Sequence, residues 1–493
     1  MSLVRGRWKL TCRGKFATAI RVWDAEIVHG VPVRIISNLK YFQPIQAMNP
    51  EISRRHFVGS TLSASAALTF MTRESARAAE TPANKIVIGV AGIHSRGLEL
   101  INKFAAVPGV EIKYVIDVDS RYLPKAVDVA TKAQGHAPKT ESDFRRVLED
   151  KEVDALLIAT PDHWHAPMAT LAAKAGKHVY VEKPCSHNPR EGEILVEVAR
   201  KSGKLVQMGS QRRSIGNVQQ MVKEIQEGVI GNLFLAQCFY SRRRAPIGFG
   251  KAVAAPKELD WDLWQGPAPR TAYRSNLHPY NWHWFWQWGT GEALNNGVHL
   301  LDVARWAMGV TYPTKASSFG GRWHDVGLDD WEAPDTQEIL LEFGPGKGIS
   351  WFGRSCSTYG KPGYKANGIV FYGSKGTIDY DGGSGYSIYD LDNKLMSKGG
   401  AAEKKPTDLA NSADPGLDDT HAQNFIDSIR GTAKLNAPIE QGHQSTLLAQ
   451  LGNIAQRCGR PLKIDPANGH ILDDPEAAKL WSRDYEPGWE PTV

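Results

Sequence analysis

From Lys85 onward, short apolar runs alternate with stretches whose apolar residues recur every three or four positions. The runs 85–90, 111–116, 154–159, 178–181 and 204–207 are apolar-rich and read as strands, and within them Ala155 to Ala159 is unbroken, the pattern of a strand buried on both faces. The stretches 98–106, 121–133, 143–149, 166–175 and 189–202 have helical spacing. Strict alternation across residues 80–210 predicts a doubly wound parallel sheet. Beyond Gln211-Arg212-Arg213 the texture changes. A helix is predicted over 216–227. Strand-like runs then follow at 233–241, 315–323, 337–343, 348–353, 367–372, 376–380 and 385–390, with Gly-rich turns between them, and these predict a mainly antiparallel sheet. A Trp-rich excursion, 261–288, interrupts these strands. A helix follows in the second half of 289–309, with His299, Val303 and Trp306 on one face. Helices over 420–430 and 445–457 close a second region spanning 211–460, and 461–493 reads as a tail.

The most informative unit is 151–184, a strand, a helix and a second strand. The first strand ends in Thr160-Pro161-Asp162, a helix-start signal, and the second runs into Glu182-Lys183-Pro184. Ligands of parallel sheets sit at the carboxyl ends of such strands. Thr160, Asp162, His163 and His165 after the first strand, and Glu182 and Lys183 after the second, are therefore candidate site residues. His163 and His165 do not predict a metal site, because no carboxylate or cysteine nearby completes a tetrahedral set.

The first strand–turn–helix carries the dinucleotide fingerprint of a Rossmann domain in altered form. Gly92 and Gly97 occupy the first and third glycine places, and His94 the middle one, where it either crowds or contacts the phosphates. Arg96 lies in the same turn, and the following helix N-terminus would face a pyrophosphate. Asp117 ends the next strand, twenty residues past Gly97. A carboxylate there accepts ribose hydroxyls and repels a 2′-phosphate, which favours NAD over NADP. Arg121 nearby could counter Asp117, which leaves NADP open.

Composition changes the picture at one end only. The net charge of +6 comes from residues 1–78, which hold 12 Lys/Arg against 4 Asp/Glu; the remainder holds 47 against 49. Nothing in that balance argues for a nucleic-acid partner. Residues 53–57 read SRRHF, an uncharged stretch runs to Phe70, and Ala76-Arg77-Ala78 follows, which resembles a twin-arginine export signal with its cleavage site. The stretch is too short for a stable membrane span. This predicts a signal over 48–78, translation starting at Met48, and residues 1–47 as a misassigned or disordered extension. The mature chain would be periplasmic or otherwise exported. Because this pathway carries folded proteins, a dinucleotide would be bound before export and retained. Cys185, Cys238, Cys356 and Cys458 are far apart and show no metal spacing.

The glycine turn at 89–97, IATPDHWH at 158–165, VEKP at 181–184, GVHLLD at 297–302 and FYGSKGTI at 371–378 together resemble the glucose–fructose oxidoreductase / inositol dehydrogenase / MocA (Gfo/Idh/MocA) family over roughly residues 84–460. The resemblance implies an α/β fold: an N-terminal NAD(P)-binding Rossmann domain followed by a C-terminal α/β domain. The open, mainly antiparallel sheet of that second domain builds homodimers or homotetramers. It further implies that Lys183 is a catalytic acid/base beside the nicotinamide, whose positive ring disfavours the ammonium. His299 matches a histidine that contacts the substrate or relays its proton. Thr160, Pro161 and His165 match the segment lining the nicotinamide side. Many relatives carry Asp four residues before the histidine; Asn295 stands here and cannot accept a proton, so it would position a substrate hydroxyl. Gln211 and Arg212 are expected at the cleft edge, with Arg274 and His283 as further substrate-side candidates. Indole faces suit pyranose rings, so the six Trp of 261–288 fit either sugar stacking or packing. The reading is an exported NAD(P)-dependent oxidoreductase of carbohydrates or polyols. The alternatives are a redox-assisted glycosidase of the same fold and a non-catalytic sugar-binding protein.

Overall fold

The computed structural model describes residues 85–359, 366–399 and 415–493. The signal-like segment, the proposed start at Met48 and the extension before it lie outside the described residues.

Six parallel strands form the first sheet: β1 (Ile86–Ala91), β2 (Val110–Ile116), β3 (Lys139–Glu141), β4 (Ala155–Ile158), β5 (His178–Val181) and β6 (Val206–Met208). Their order is β3-β2-β1-β4-β5-β6. The order reverses between β1 and β4, which opens a crevice at the carboxyl ends of these two strands. Every residue of β4 is buried, as its unbroken apolar run requires. The helix Arg96–Ala105 turns Leu98, Leu100, Ile101 and Phe104 into the core. The helix Pro189–Ser202 starts where its sequence says it should, with Asn188 accepting from the Glu191 amide and Pro189 in the first turn.

One helix begins earlier than expected. It spans Asp162–Lys174 rather than starting at Ala166, so His163 and His165 occupy its first turns and not a strand-end loop. Pro161 supplies the extended N-cap and Asp162 an acidic first turn, which the helix dipole favours. Pro167 sits inside this helix and has no N–H to donate to the carbonyl of His163. That carbonyl instead accepts from Arg483 Nη2 at 2.8 Å.

The second sheet holds β7 (Leu233–Ser241), β8 (Lys315–Gly321), β9 (Thr336–Phe343), β10 (Lys347–Arg354), β11 (Asn367–Gly373), β12 (Gly376–Tyr380), β13 (Tyr386–Tyr389), β14 (Leu395–Gly399), β15 (Leu462–Ile464) and β16 (Ile471–Leu472). Their order is β14-β13-β12-β11-β7-β10-β9-β8-β15-β16. Neighbours pair antiparallel except β7 and β10, which run parallel with Trp351 opposite Cys238. The fold is therefore α/β, with a parallel sheet followed by a mixed, mainly antiparallel one. The helices Val298–Met308 and Ile439–Cys458 pack on this second sheet. Tyr240, Trp351, Phe371 and Tyr380 lie fully buried in its core.

Two segments are placed differently from the linear reading. The helix Pro415–Ile429 falls in the second sequence region, yet Ala422, Phe425 and Ile426 join the core of the first sheet beside Phe104 and Tyr180. The closing residues are not a loose tail. β15 and β16 extend the second sheet, and Arg483 pairs with buried Glu191 at 2.7 Å. Among the described residues the four cysteines are unbridged, and no helix is long and apolar enough to cross a membrane.

Trp351 packs so closely on Gly297 and Gly353 that a Cβ at either glycine would lie within 2.6 Å of its ring. Replacing it with alanine empties a volume that backbone cannot refill. Trp351→Ala is expected to lower unfolding stability by about 3–5 kcal/mol, read from denaturant titration.

Candidate active site

A cleft opens at the carboxyl ends of β1, β4 and β5 and is roofed by residues from 263–283. Its empty space is about 1280 Å³ including the solvent at its mouth.

The floor on the β1 side is built from the glycine turn. Gly92 has φ +80°, and a Cβ there would sit 2.6 Å from the Ala159 backbone. A Cβ on Gly97 would lie 2.2 Å from the Gly92 carbonyl oxygen. Both places therefore demand glycine, one lining the cleft and one holding the helix against the turn. His94 does not crowd the turn: its side chain is exposed at the cleft wall and meets the Tyr122 ring edge-on at 4.4 Å. Asp117 accepts from the Ile93 amide and from the Asp119 amide, both at 2.9 Å. Burial pushes its carboxyl up to about 6. A carboxylate has lone pairs beyond these two bonds, enough to accept ribose hydroxyls. Thr160 Oγ1, buried at the cleft wall, has no hydrogen-bond partner in the chain. Glycine cradle, carboxylate and orphaned hydroxyl fit a dinucleotide.

Arg121 does not counter Asp117. Its guanidinium is paired with Asp119, Nε to Oδ1 at 2.8 Å and Nη2 to Oδ2 at 2.5 Å. Asp119 also meets His278 Nε2 at 3.0 Å. Arg96 is likewise committed. Its Nε contacts Glu182 Oε1 at 2.8 Å, its two terminal nitrogens grip Asp418 at 2.8 and 2.9 Å, and Nη1 also meets Glu99 at 2.8 Å. Burial opposes the Arg96 charge, but Glu182 and Asp418 outweigh it and hold its pKa above the ordinary value.

At the β5 side, Lys183 Nζ donates to the Asn295 carbonyl at 2.8 Å and approaches Asn295 Oδ1 at 3.5 Å. Burial lowers the pKa of its ammonium, against the pull of Glu182 and Asp162. Asn295 belongs to a π-helical turn, Ala293–Gly297, that runs into the helix Val298–Met308. Such turns recur at functional sites. His165 spans both strand ends, with Nδ1 2.6 Å from the Pro184 carbonyl and Nε2 2.8 Å from the Thr160 carbonyl. His283 lines the opposite wall, stacked on Trp282 at 3.6 Å, and burial lowers its pKa to about 3.

Gly92, His94, Arg96, Asp117, Thr160, Pro161, His165, Glu182, Lys183, His283 and Asn295 thus share one cleft. Gly97 lies behind the turn, His163 is buried with Nε2 2.9 Å from the Trp264 carbonyl, and four further expected residues also stand outside the cleft. His299 is buried one helical turn past Asn295, behind the cleft wall, and burial with the Arg212 and Lys183 cations holds its imidazole well below the usual pKa. Gln211 is buried beneath Glu182, donating to Oε1 at 3.3 Å. Arg212 is buried and donates to the Gly382 carbonyl at 2.9 Å, which ties it to the second sheet. Arg274 pairs with Asp330 at 2.5 Å in a separate surface depression. Gln211, Arg212 and Arg274 each have a partner fixed by distant chain and His299 is enclosed, neither of which linear sequence displays. Of the six Trp only Trp264 and Trp282 reach the cleft; Trp284 stacks on Trp331 at 3.9 Å, and the others pack in the loop.

Two acids stand at this side of the cleft: Asp162, expected from the strand end, and Glu292, which is not. Asp162 is buried at the cleft wall, accepts from Thr290 Oγ1 at 2.5 Å, and burial raises its pKa. Glu292 is buried just behind Asn295. Acidic residues among predicted strand ends were a signal for Asp162; nothing in sequence distinguished Glu292.

Three family models cover most of the described chain: "Oxidoreductase family, NAD-binding Rossmann fold" over 83–210, "GFO/IDH/MocA C-terminal domain" over 218–379 and "Oxidoreductase family, C-terminal alpha/beta domain" over 404–490. The chain belongs to the Gfo/Idh/MocA oxidoreductase family. Its cofactor class is accordingly NAD. A glycosyl hydrolase family 109 protein of Saccharopolyspora erythraea is 31% identical over 200 residues, 38% of this chain and 43% of that relative. The chain spans less than half the length of the curated relatives it matches. Levoglucosan dehydrogenase in complex with NADH and L-sorbose superposes with TM-score 0.60 at 16% identity, covering 78% of this chain and 99% of that one. The WlbA dehydrogenase of Bordetella pertussis, in complex with NADH and UDP-GlcNAcA, gives TM-score 0.56 at 21% identity over 77% and 99%. These two likenesses establish the shared fold.

The Asp117 carboxyl must be ionised to accept two hydroxyls. With its pKa raised to about 6, NAD affinity is expected to be highest above pH 7 and to fall as pH drops through 6. Calorimetric titration between pH 5 and 8 checks this, and Asp117→Asn should weaken binding and flatten the dependence.

Proposed function

We propose that this chain is an NAD-dependent oxidoreductase acting on a hydroxyl of a carbohydrate or polyol. The observation that carries the reading is the position of Lys183: a half-buried amine at the wall of the cleft that the glycine turn also lines, held by Asn295. Gly92, Asp117, Thr160 and Glu182 would hold the dinucleotide. NAD, when bound, supplies a hydride acceptor beside Lys183. The chain's own work is proton management and exclusion of water. Burial favours the neutral amine, so Lys183 can receive the hydroxyl proton as hydride leaves the same carbon and the carbinol becomes a carbonyl. Asn295 orients the amine, and His299, buried and neutral, supports that turn from behind. Trp282 and His283 offer a flat, partly apolar wall suited to a sugar ring.

A second reading, a redox-assisted glycosidase, is favoured by two observations. Curated relatives are named glycosyl hydrolase family 109 proteins, and Asp162 places a second proton-transfer group in the Lys183 cleft. Elimination after transient oxidation needs both a base for a C–H and an acid for the leaving group. The products separate the two readings: a dehydrogenase leaves a keto sugar, a hydrolase a new reducing end. Export by the twin-arginine route belongs to the proposal and rests on the 53–78 pattern alone.

Protein purified without added nucleotide, then denatured, is expected to release NAD or NADH in stoichiometric amount. Absence of any dinucleotide, with none bound on adding it back, would overturn both redox readings and leave a sugar-binding protein. Lys183→Met is expected to keep the nucleotide and lose turnover by about 100-fold or more.

A further inference from the structure

Behind Lys183 lies a buried carboxylate, Glu292. Glu292 is 4% exposed. Its Oε2 accepts from Arg244 Nε at 3.2 Å and Ser355 Oγ at 3.3 Å. Its Oε1 accepts from Asn295 Nδ2 at 3.4 Å and also from Asn296 Nδ2. The Asn295 amide is therefore polarised from one side. With Nδ2 turned to the carboxylate, Oδ1 faces Lys183 Nζ at 3.5 Å, beside the backbone oxygen at 2.8 Å. The reversed amide would set oxygen against Glu292 and an NH2 group against the ammonium, and both contacts repel.

We propose that Glu292 is a positioning residue for Lys183, acting through Asn295: its charge locks the amide so that two oxygens of one residue aim the amine into the cleft. The proposal rests on Lys183 being the acid/base group of the function proposed above. It explains how a neutral side chain at 295 can serve beside a lysine. The carboxylate stands one turn earlier, out of reach of substrate, and works through the amide.

The charge balance around Lys183 makes this measurable. Glu182 at the end of β5, Asp162 from its helix and Glu292 just before the π-helical turn favour the ammonium; burial and Arg96 oppose it, and the His283 and His299 rings also face the amine. Around Glu292 the facing groups are Arg244, Ser355, Tyr240, Asn295 and Asn296. Neutralising Glu292 removes one group that favours the Lys183 cation and frees the amide to rotate, so the Lys183 pKa should fall.

The test labels amines of the full-length protein with acetic anhydride across a pH series and reads the Lys183 peptide by mass spectrometry. It needs neither substrate nor turnover. Glu292→Gln is expected to move the Lys183 midpoint down by about one pH unit, and Glu292→Asp by less. Asn295→Ala, which removes the amide and leaves the carboxylate, should also lower it. An unchanged midpoint in a Glu292→Gln protein with the wild-type melting transition overturns the proposal. If that variant does not fold, an unchanged midpoint in Asn295→Ala overturns it instead. Failure of the oxidoreductase reading shows separately, as absence of released dinucleotide.

Discussion

The buried cation of Arg96 is the constraint on which the cleft depends. It starts the helix after the glycine turn, and its guanidinium reaches Glu182 at the end of β5 and Asp418 on the helix Pro415–Ile429. Three segments more than 80 residues apart in sequence therefore meet at one charge. Taking a charge out of water is unfavourable unless its partners are close and well aimed, so the pairs hold the segments in one arrangement. Glu182 is pinned further by Gln211, and Gly209 leaves no side chain where that carboxylate sits. Because Glu182 is pinned, Lys183, the next residue, faces the cleft from a fixed strand end.

The Trp-rich loop supplies the opposite wall. It is laced to the end of β2 by backbone: the Asp260 amide donates to the Val118 carbonyl at 2.9 Å and the Ser120 amide to the Glu258 carbonyl at 3.0 Å. The His278–Asp119 contact fastens a second point. On the β4 side, Trp164 Nε1 and His163 Nε2 both approach the Trp264 carbonyl, at 3.0 and 2.9 Å. The indoles mostly pack against one another, so their shared role is to keep a long excursion rigid over a polar floor. A wall attached at both strands restricts exchange of whatever lies beneath it.

Electrostatics then divides labour within the cleft. Asp117 and Asp162 are buried acids whose pKa values burial raises, while Lys183 is a half-buried base whose pKa burial lowers. Perturbed acids and bases of this kind cluster at functional clefts. Asp119, with Arg121 and His278 beside it, is held below its ordinary value despite burial. It serves as an ion-pair anchor for the loop.

The sequence by itself determined the elements and the strand-end chemistry. Apolar runs specify β1, β4 and β5, because a strand covered on both faces must bury most of its side chains. Gly92 and Gly97 are legible because backbone approaches within van der Waals distance at both points. Glu182, Lys183, Thr160 and Asp117 are legible because parallel strands deliver their final residues to one edge. Only the tertiary structure decided which remaining polar groups face the cleft. Gln211, Arg212, Arg274 and His299 read as site residues by type, yet each is satisfied or enclosed by chain from another element. Glu292 carries no local signature, because its place behind the cleft arises from burial and from a partner, Arg244, 48 residues away. The helix Pro415–Ile429 crosses back to the first sheet for the same reason. Apolar periodicity says that a face must be covered, while the partner that covers it is settled by packing across the whole fold.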